Sequence, residues 1–295
     1  MTTTSVFADE MSKLNKNTHV IPNAINTDEK QYQSNVEKSD RVRIGWLGGS
    51  SHIKDLEILR GVINKFKSDG LLDKVQFVLC GYDLRGTMTV IDKKTGEQKQ
   101  RPIKPKESVW YQYEKIFTDD YKVVSEDYKN FLLQFENKEY DKVMDEPYRR
   151  VWTKPITSYA SNYNLFDISL APLKESVFNK VKSQLKVIES GFHKKAFVGQ
   201  DFGPYQIDIS NAYEKGGEIN ETGNGILIPS VKNHKQWYSH LKKLVLNPEL
   251  ITTLGNNLYD SVNGRYDMKS VCKDRRDLYM KLVTEKKIKK VDLVE

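Results

Sequence analysis

The stretch that decides the fold runs Asp167-Ile168-Ser169-Leu170-Ala171-Pro172-Leu173. After a short polar gap come Phe178-Asn179-Lys180-Val181-Lys182-Ser183-Gln184 and Leu185-Lys186-Val187-Ile188-Glu189-Ser190-Gly191. Leu165 to Ala171 is short, mostly apolar and stopped by a proline, the pattern of a buried parallel strand. Lys182 to Phe192 carries helical periodicity. A helix opening near Lys182 presents unbonded N–H groups and a positive dipole end, which suit an anion. Lys182 and the Ser183 hydroxyl add a charge and a donor at that end. Glu189 lies seven residues on, two turns along nearly the same face, and a carboxylate accepts from paired hydroxyls. A lysine and a glutamate so spaced also occur on solvated helices. Here they follow a buried strand, and ligands of open α/β sheets lie beyond strand C-terminal ends.

Working outward, the same strand pattern recurs at Val42 to Leu47 before Gly48-Gly49-Ser50-Ser51, and at Val75 to Cys80 before Gly81. It returns at Ala196 to Val198 before Gly199 and at Gly225 to Ile228 before Pro229. Helical patterns fill Asp55 to Lys67 and Lys235 to Leu246. This alternation predicts a doubly wound α/β domain, a Rossmann-like parallel sheet covered on both faces. In the Gly48-Gly49 loop, small residues let the backbone approach a ligand, and Lys54 follows closely. The loop is neither a dinucleotide fingerprint nor a P-loop, since no Gly-Lys-Ser/Thr follows. His52 could cap the next helix or touch a phosphate.

Residues 83–150 break the alternation. Thr87 to Ile91 and Gln98 to Ile103 flank Lys93-Lys94-Thr95-Gly96, which predicts a β-hairpin. An aromatic, charged segment follows from Trp110, then a helix over Glu126 to Glu136. The stretch reads as a surface insertion in a domain over 41–285, with contact to a partner or acceptor as the alternative. Ahead of that domain, residues 1–40 read as a helix (Thr2 to Leu14), a short strand at Val20-Ile21 and a polar connection. Helices over Pro248 to Tyr259 and Met268 to Val283 close it, and a basic tail covers 286–295.

The net charge of +7 invites a nucleic-acid reading, but 47 basic and 40 acidic side chains are interspersed, so no nucleic-acid partner is expected. Two distant cysteines, Cys80 and Cys272, form neither a disulfide framework nor a metal pattern. No signal peptide and no apolar run of about 20 residues is visible, which points to the cytoplasm.

Taken together, these pieces resemble the C-terminal domain of a retaining glycosyltransferase of family 4, with the GT-B fold. The matches are Val20-Ile21-Pro22-Asn23-Ala24-Ile25 at the interdomain connection and Arg43-Ile44-Gly45-Trp46-Leu47-Gly48-Gly49 at the first strand and loop. They continue with Asp167 to Leu173, and with Phe178-Asn179, Lys182-Ser183, Leu185-Lys186 and Glu189 on the following helix. The resemblance implies transfer of a sugar from a nucleoside diphosphate sugar to an acceptor hydroxyl of a glycan, lipid or protein, with retention and no metal or other cofactor. It places the donor diphosphate at Gly48, Gly49, Lys54, Lys182 and Ser183, the ribose at Glu189, and the base near Trp152 and Thr153. No catalytic residue is assigned.

This sequence departs from the family pattern in three places. Val181 stands where the family has the first of two glutamates. Ser50 and Ser51 stand where an arginine is usual. Only about twenty residues precede the Pro-Asn-Ala connection, so the chain reads as the donor-binding half, with an N-terminal domain absent or supplied in trans. The other reading is a non-catalytic module that binds a nucleotide sugar or serves as a scaffold.

Overall fold

The computed structural model describes residues 1–36, 38–118, 126–139, 147–213, 218–229 and 234–291. In chain order the strands are β1 (Val42–Leu47), β2 (Val75–Tyr82), β3 (Thr87–Ile91), β4 (Gln98–Pro102), β5 (Tyr148–Trp152), β6 (Ile168–Ala171), β7 (Ala196–Gln200) and β8 (Ile226–Ile228). The first helices are α1 (Ser5–Ser12), α2 (Ile53–Leu56), α3 (Val62–Ser68), α4 (Val109–Phe117) and α5 (Glu126–Asn137). The rest are α6 (Val177–Lys180), α7 (Leu185–Phe192), α8 (His234–Leu246), α9 (Pro248–Val262) and α10 (Met268–Val291). Six strands form one parallel sheet in the order β5-β2-β1-β6-β7-β8, and β3 and β4 form a separate antiparallel pair. With the hairpin set aside, that is the doubly wound order 3-2-1-4-5-6. Winding reverses between β1 and β6, which pair at Ile44–Ile168 and Gly45–Ser169. A crevice opens beyond the C-terminal ends of those two strands, as in other sheets wound this way.

Strand alternation splits the core. Ile44, Trp46, Phe77, Leu79, Ile168 and Leu170 pack with α3, α4 and α8 on one face. On the other, Val78 and Cys80 meet Tyr163 and Phe166, while Phe197 and Ala171 meet Val187 and Ile188 of α7 and Leu258 of α9. Both faces are therefore dry, which is why these strands read as continuous apolar runs.

Three expectations need correction. The helix expected over Asp55 to Lys67 is broken into α2, a 3-10 turn and α3, with Gly61 at φ 92° between them. The helix expected over Lys182 to Phe192 begins only at Leu185, as α7 with Gln184 at its N-cap, and a separate short helix, α6, precedes it. In α6 the Asn179 amide donates to Asp55 (3.1 Å) and to the Lys174 carbonyl (2.7 Å), which ties α6 to the loop before it and to α2. Third, among the described residues of 83–150, the hairpin is the surface excursion. Trp110, Tyr113, Ile116 and Phe117 of α4 and Tyr128 and Phe131 of α5 are buried in the main core, and β5 extends the sheet.

Thr2 forms a parallel bridge with Val20, and Ile25 is tied to the segment before α10 through its N–H on the Tyr266 carbonyl (2.8 Å). The helix α10 runs on to Val291, into the 286–295 tail, whose last four residues lie outside the described ones.

The loops after β1 and within β2 touch at Gly81, whose φ of 101° and lack of a Cβ let it lie against the Gly48 carbonyl. Gly81→Ala adds left-handed strain to a clash with backbone. A loss of about 1–3 kcal/mol in chemical denaturation is expected. A loss below about 0.5 kcal/mol would show that the two loops separate freely.

Candidate functional site

A cleft of about 760 Å³ opens at the switch point. Its floor is Leu47, Gly48, Gly49 and Ser50 after β1, with Gly81 from β2. One wall is Leu185, Lys186 and Glu189 of α7, another is Thr153, Lys154, Tyr159 and Asn162, and the rim is Asp83, Arg85, Ile103 and Glu107 at the root of the hairpin.

Glu189 is 4% exposed. Tyr159 and Tyr163, both on the 3-10 turn Tyr159–Leu165, donate their hydroxyls to its two oxygens, the Tyr163 bond being 3.0 Å. Burial raises the Glu189 pKa, against the two tyrosine bonds and the Lys186 charge. Lys186, one turn earlier, donates its ammonium to the Leu47 carbonyl and lies 5.1 Å over the Trp46 ring. Burial pushes its pKa down to about 8, with Glu189 and Asp55 opposing. A cation and a carboxylate thus share one wall, ready for a ligand that brings its own negative charge and hydroxyls.

The β1 loop is fastened to the opposite side by Asp55. This carboxylate, 4% exposed, accepts from His52 Nδ1 (2.8 Å), the Lys174 N–H (2.8 Å) and the Asn179 amide (3.1 Å). Burial alone would raise its pKa, but those bonds and the nearby His52 and Lys182 charges bring it below the usual carboxylate range. The His52 N–H donates to Tyr113 Oη (2.8 Å), which in turn donates to the Gly49 carbonyl (3.2 Å). Gly48 packs against the Trp46 indole, where a Cβ would clash, while a Cβ on Gly49 would meet open space. Gly48 is therefore needed by the fold, and Gly49 is the residue whose backbone faces outward.

The expected site residues divide. Gly48, Gly49, Thr153 and Glu189 line the cleft. Lys182 and Ser183 do not line it; they precede α7 rather than open it, and the Lys182 ammonium sits 5.0 Å over the Phe178 ring. Lys54 is exposed on α2 and also outside it. Trp152 turns the other way: it is 7% exposed and stacked on Phe131 at 4.3 Å, with its indole N–H on Gln134 (3.4 Å). It belongs to the core, because alternation along β5 sends Trp152 inward and leaves Thr153 at the cleft.

No protein-family model matches the chain, and no curated protein sequence matches it. Solved structures do. Sucrose-phosphate synthase from Thermosynechococcus elongatus superposes with a TM-score of 0.58 at 13% identity, over 96% of this chain and 58% of that one. A glycosyltransferase from Rickettsia africae gives 0.57 at 11%, over 94% and 62%. HepE from Anabaena, bound to UDP-glucose, gives 0.51 at 13%, over 90% and 58%. The chain shares their GT-B fold. It spans about three-fifths of the length of each of these structures.

Four residues of the site escape a sequence reading. Lys186 looks like any helix lysine, although its i, i+3 spacing to Glu189 is a usable signal. Tyr159 and Tyr163 carry no motif. Asn162 is 1% exposed, lines the cleft, and neither its amide nitrogen nor its oxygen has a hydrogen-bond partner among the described residues. Among those same residues no group of three or more His, Cys, Asp or Glu is placed to hold a metal ion, and no helix is long and apolar enough to cross a membrane.

Proposed function

We propose that this chain is the donor-binding half of a retaining glycosyltransferase that takes a nucleoside diphosphate sugar. The observation that carries the proposal is that Lys186 and Glu189, one helical turn apart, both line the wall of the switch-point cleft beside the Gly48-Gly49 loop. The diphosphate lies between that loop and the start of α7. There, intrahelical bonding begins with the Val187 and Ile188 N–H groups on the Gln184 carbonyl, so earlier N–H groups face the ligand. Lys186 replaces Lys182 as the principal cation. The ribose hydroxyls go to Glu189, displacing or sharing the Tyr159 hydroxyl. Asn162 sits one 3-10 turn from Tyr159 on the same face and takes the nucleoside through its unpaired amide.

In the reaction, the bond from the anomeric carbon to the diphosphate oxygen breaks and its electron pair stays on the diphosphate. The acceptor oxygen bonds to that carbon on the same face and releases its proton. Lys186 and the helix N–H groups stabilise the charge that grows on the diphosphate, a role that needs no metal. Acceptor groups come from an N-terminal domain, in the same protein or in trans. A second reading, a binding module without turnover, is favoured by one observation: Val181 occupies the place of the family's first glutamate.

Titration calorimetry with UDP, GDP and ADP in excess chelator tests the proposal. At least one nucleotide is expected to bind, UDP being tried first because HepE holds UDP-glucose. Asn162→Ala is expected to weaken that nucleotide roughly tenfold through two lost hydrogen bonds and to leave inorganic diphosphate unaffected. If none of the three binds to the wild-type chain, or binding requires a divalent ion, the proposal fails.

A further inference from the structure

The hairpin β3–β4 contributes no side chain to any core cluster, and an isolated two-stranded hairpin is marginal in water. Its charge is lopsided. Between Arg85 and Lys106 there are seven basic residues (Arg85, Lys93, Lys94, Lys99, Arg101, Lys104, Lys106) and two acidic ones (Asp92, Glu97), a balance of +5 in a chain whose total is +7. Local partners already occupy some of these. Arg85 pairs with Asp83 (2.9 Å), Lys99 with Glu97 (3.3 Å) and Arg101 with Glu107 (2.7 Å). The Asp92 carboxylate is used by the turn, accepting from the Lys94 and Thr95 N–H groups. Lys93, Lys94, Lys104 and Lys106 remain exposed, with no ion-pair partner among the described residues.

These four lysines sit at the two ends of the ribbon, two at the tip and two at the root. Five extended residues per strand separate them by roughly 17 Å at about 3.4 Å per residue. One phosphate cannot span that distance; a chain of repeating anionic groups can. The root residues Arg85, Ile103 and Glu107 also form the rim of the cleft.

We infer that the hairpin is the docking ribbon for an anionic glycan acceptor, which lies along the lysines and passes its reactive hydroxyl over Arg85 into the cleft. This rests on the donor-site proposal for the identity of the cleft. The composition of the ribbon argues against the other polyanions. Residues 85–106 contain no aromatic side chain on which a nucleobase could stack, and only Val90 and Ile91 are exposed large apolar groups, too few to seat in a bilayer.

The test is binding of fluorescent dextran sulfate to the full chain, without nucleotide, against neutral dextran, single-stranded RNA and anionic phosphatidylglycerol vesicles. Dextran sulfate is expected to bind with an affinity that falls steeply with salt, as for any polyanion that releases counterions, and neutral dextran is not. The exposed quadruple variant Lys93→Gln/Lys94→Gln/Lys104→Gln/Lys106→Gln is expected to lose at least tenfold in affinity and to show a shallower salt dependence. Its thermal unfolding and its nucleotide binding are expected to match the wild type. Unchanged dextran sulfate binding in that variant overturns the inference and moves the polyanion elsewhere, such as to residues 286–290. Tighter hairpin-dependent binding of RNA or vesicles than of dextran sulfate overturns it as well. Hairpin-dependent binding of dextran sulfate with no nucleotide binding leaves the ribbon in place and removes only the donor-site proposal.

Discussion

Lys186→Ala is expected to weaken nucleoside diphosphate binding by roughly 10- to 100-fold, the usual worth of a charge-assisted hydrogen bond lost from a partly dry site. The wild-type affinity should also depend on pH. Burial holds the Lys186 pKa near about 8, so the cation is mostly present at pH 7 and is lost as pH rises through 8. Affinity measured by calorimetry should therefore fall between about pH 7.5 and 9. A bound diphosphate favours the charged lysine and raises its pKa in the complex, so the fall begins near the free-chain value and continues to higher pH. Lys186→Arg, whose guanidinium stays charged throughout, should flatten the profile wherever it still binds. For the unliganded chain the sign reverses. Between about pH 8 and the unfolded-state value of roughly 10.4, the unfolded chain keeps a proton on Lys186 that the folded chain has released. The contribution of Lys186 to stability thus rises with pH across that window. Affinity that is flat to pH 9.5 in the wild type would remove Lys186 from the diphosphate.

The second large effect is on stability. Arg150 on β5 and Glu114 on α4 form an ion pair with side chains 4% and 1% exposed, Arg150 Nε lying 2.9 Å from both carboxylate oxygens. The guanidinium also faces the rings of Tyr128 and Phe131 at 5.6 and 5.8 Å. Removing Arg150 leaves the Glu114 carboxylate buried without its counter-charge. Arg150→Met should cost about 3–5 kcal/mol, lowering the melting temperature by roughly 10 °C or more. The double replacement Arg150→Met/Glu114→Leu should recover most of that, since an apolar pair of similar volume avoids the desolvation cost. A double variant as unstable as the single one would mean the pair organises β5 in a way that packing alone does not replace.

That pair also explains what a sequence reading misses. Tyr148-Arg149-Arg150-Val151-Trp152 is the third strand in topology, yet two arginines interrupt its apolar pattern, and nothing local says that Glu114 waits 36 residues earlier. The aromatic segment from Trp110 looks like surface for the same reason: its Glu114 is satisfied by Arg150, distant in the chain. By contrast, Val42 to Leu47 and Val75 to Cys80 are legible because both faces of those strands are dry, so every position but Arg43 and Gln76 is apolar or small. The start of α7 lies three residues beyond Lys182, in a stretch whose preceding Asn179 is held by Asp55, 124 residues away, a tie that no local pattern announces.

The stretch through Glu189 reaches the switch-point cleft, though not with all the side chains expected of it. By itself the sequence determined the doubly wound sheet, the Gly48-Gly49 loop, and the place of Glu189 on the helix after the switch-point strand. Those features are local: periodicity, turn residues and order along the chain. Only the tertiary structure decided that Lys186 and not Lys182 enters the cleft, that Trp152 belongs to the core, and that Tyr159, Tyr163 and Asn162 surround Glu189. The reason is physical. The direction in which a lysine or tryptophan points, and whether an amide is left unpaired, depend on which distant groups remove water from it.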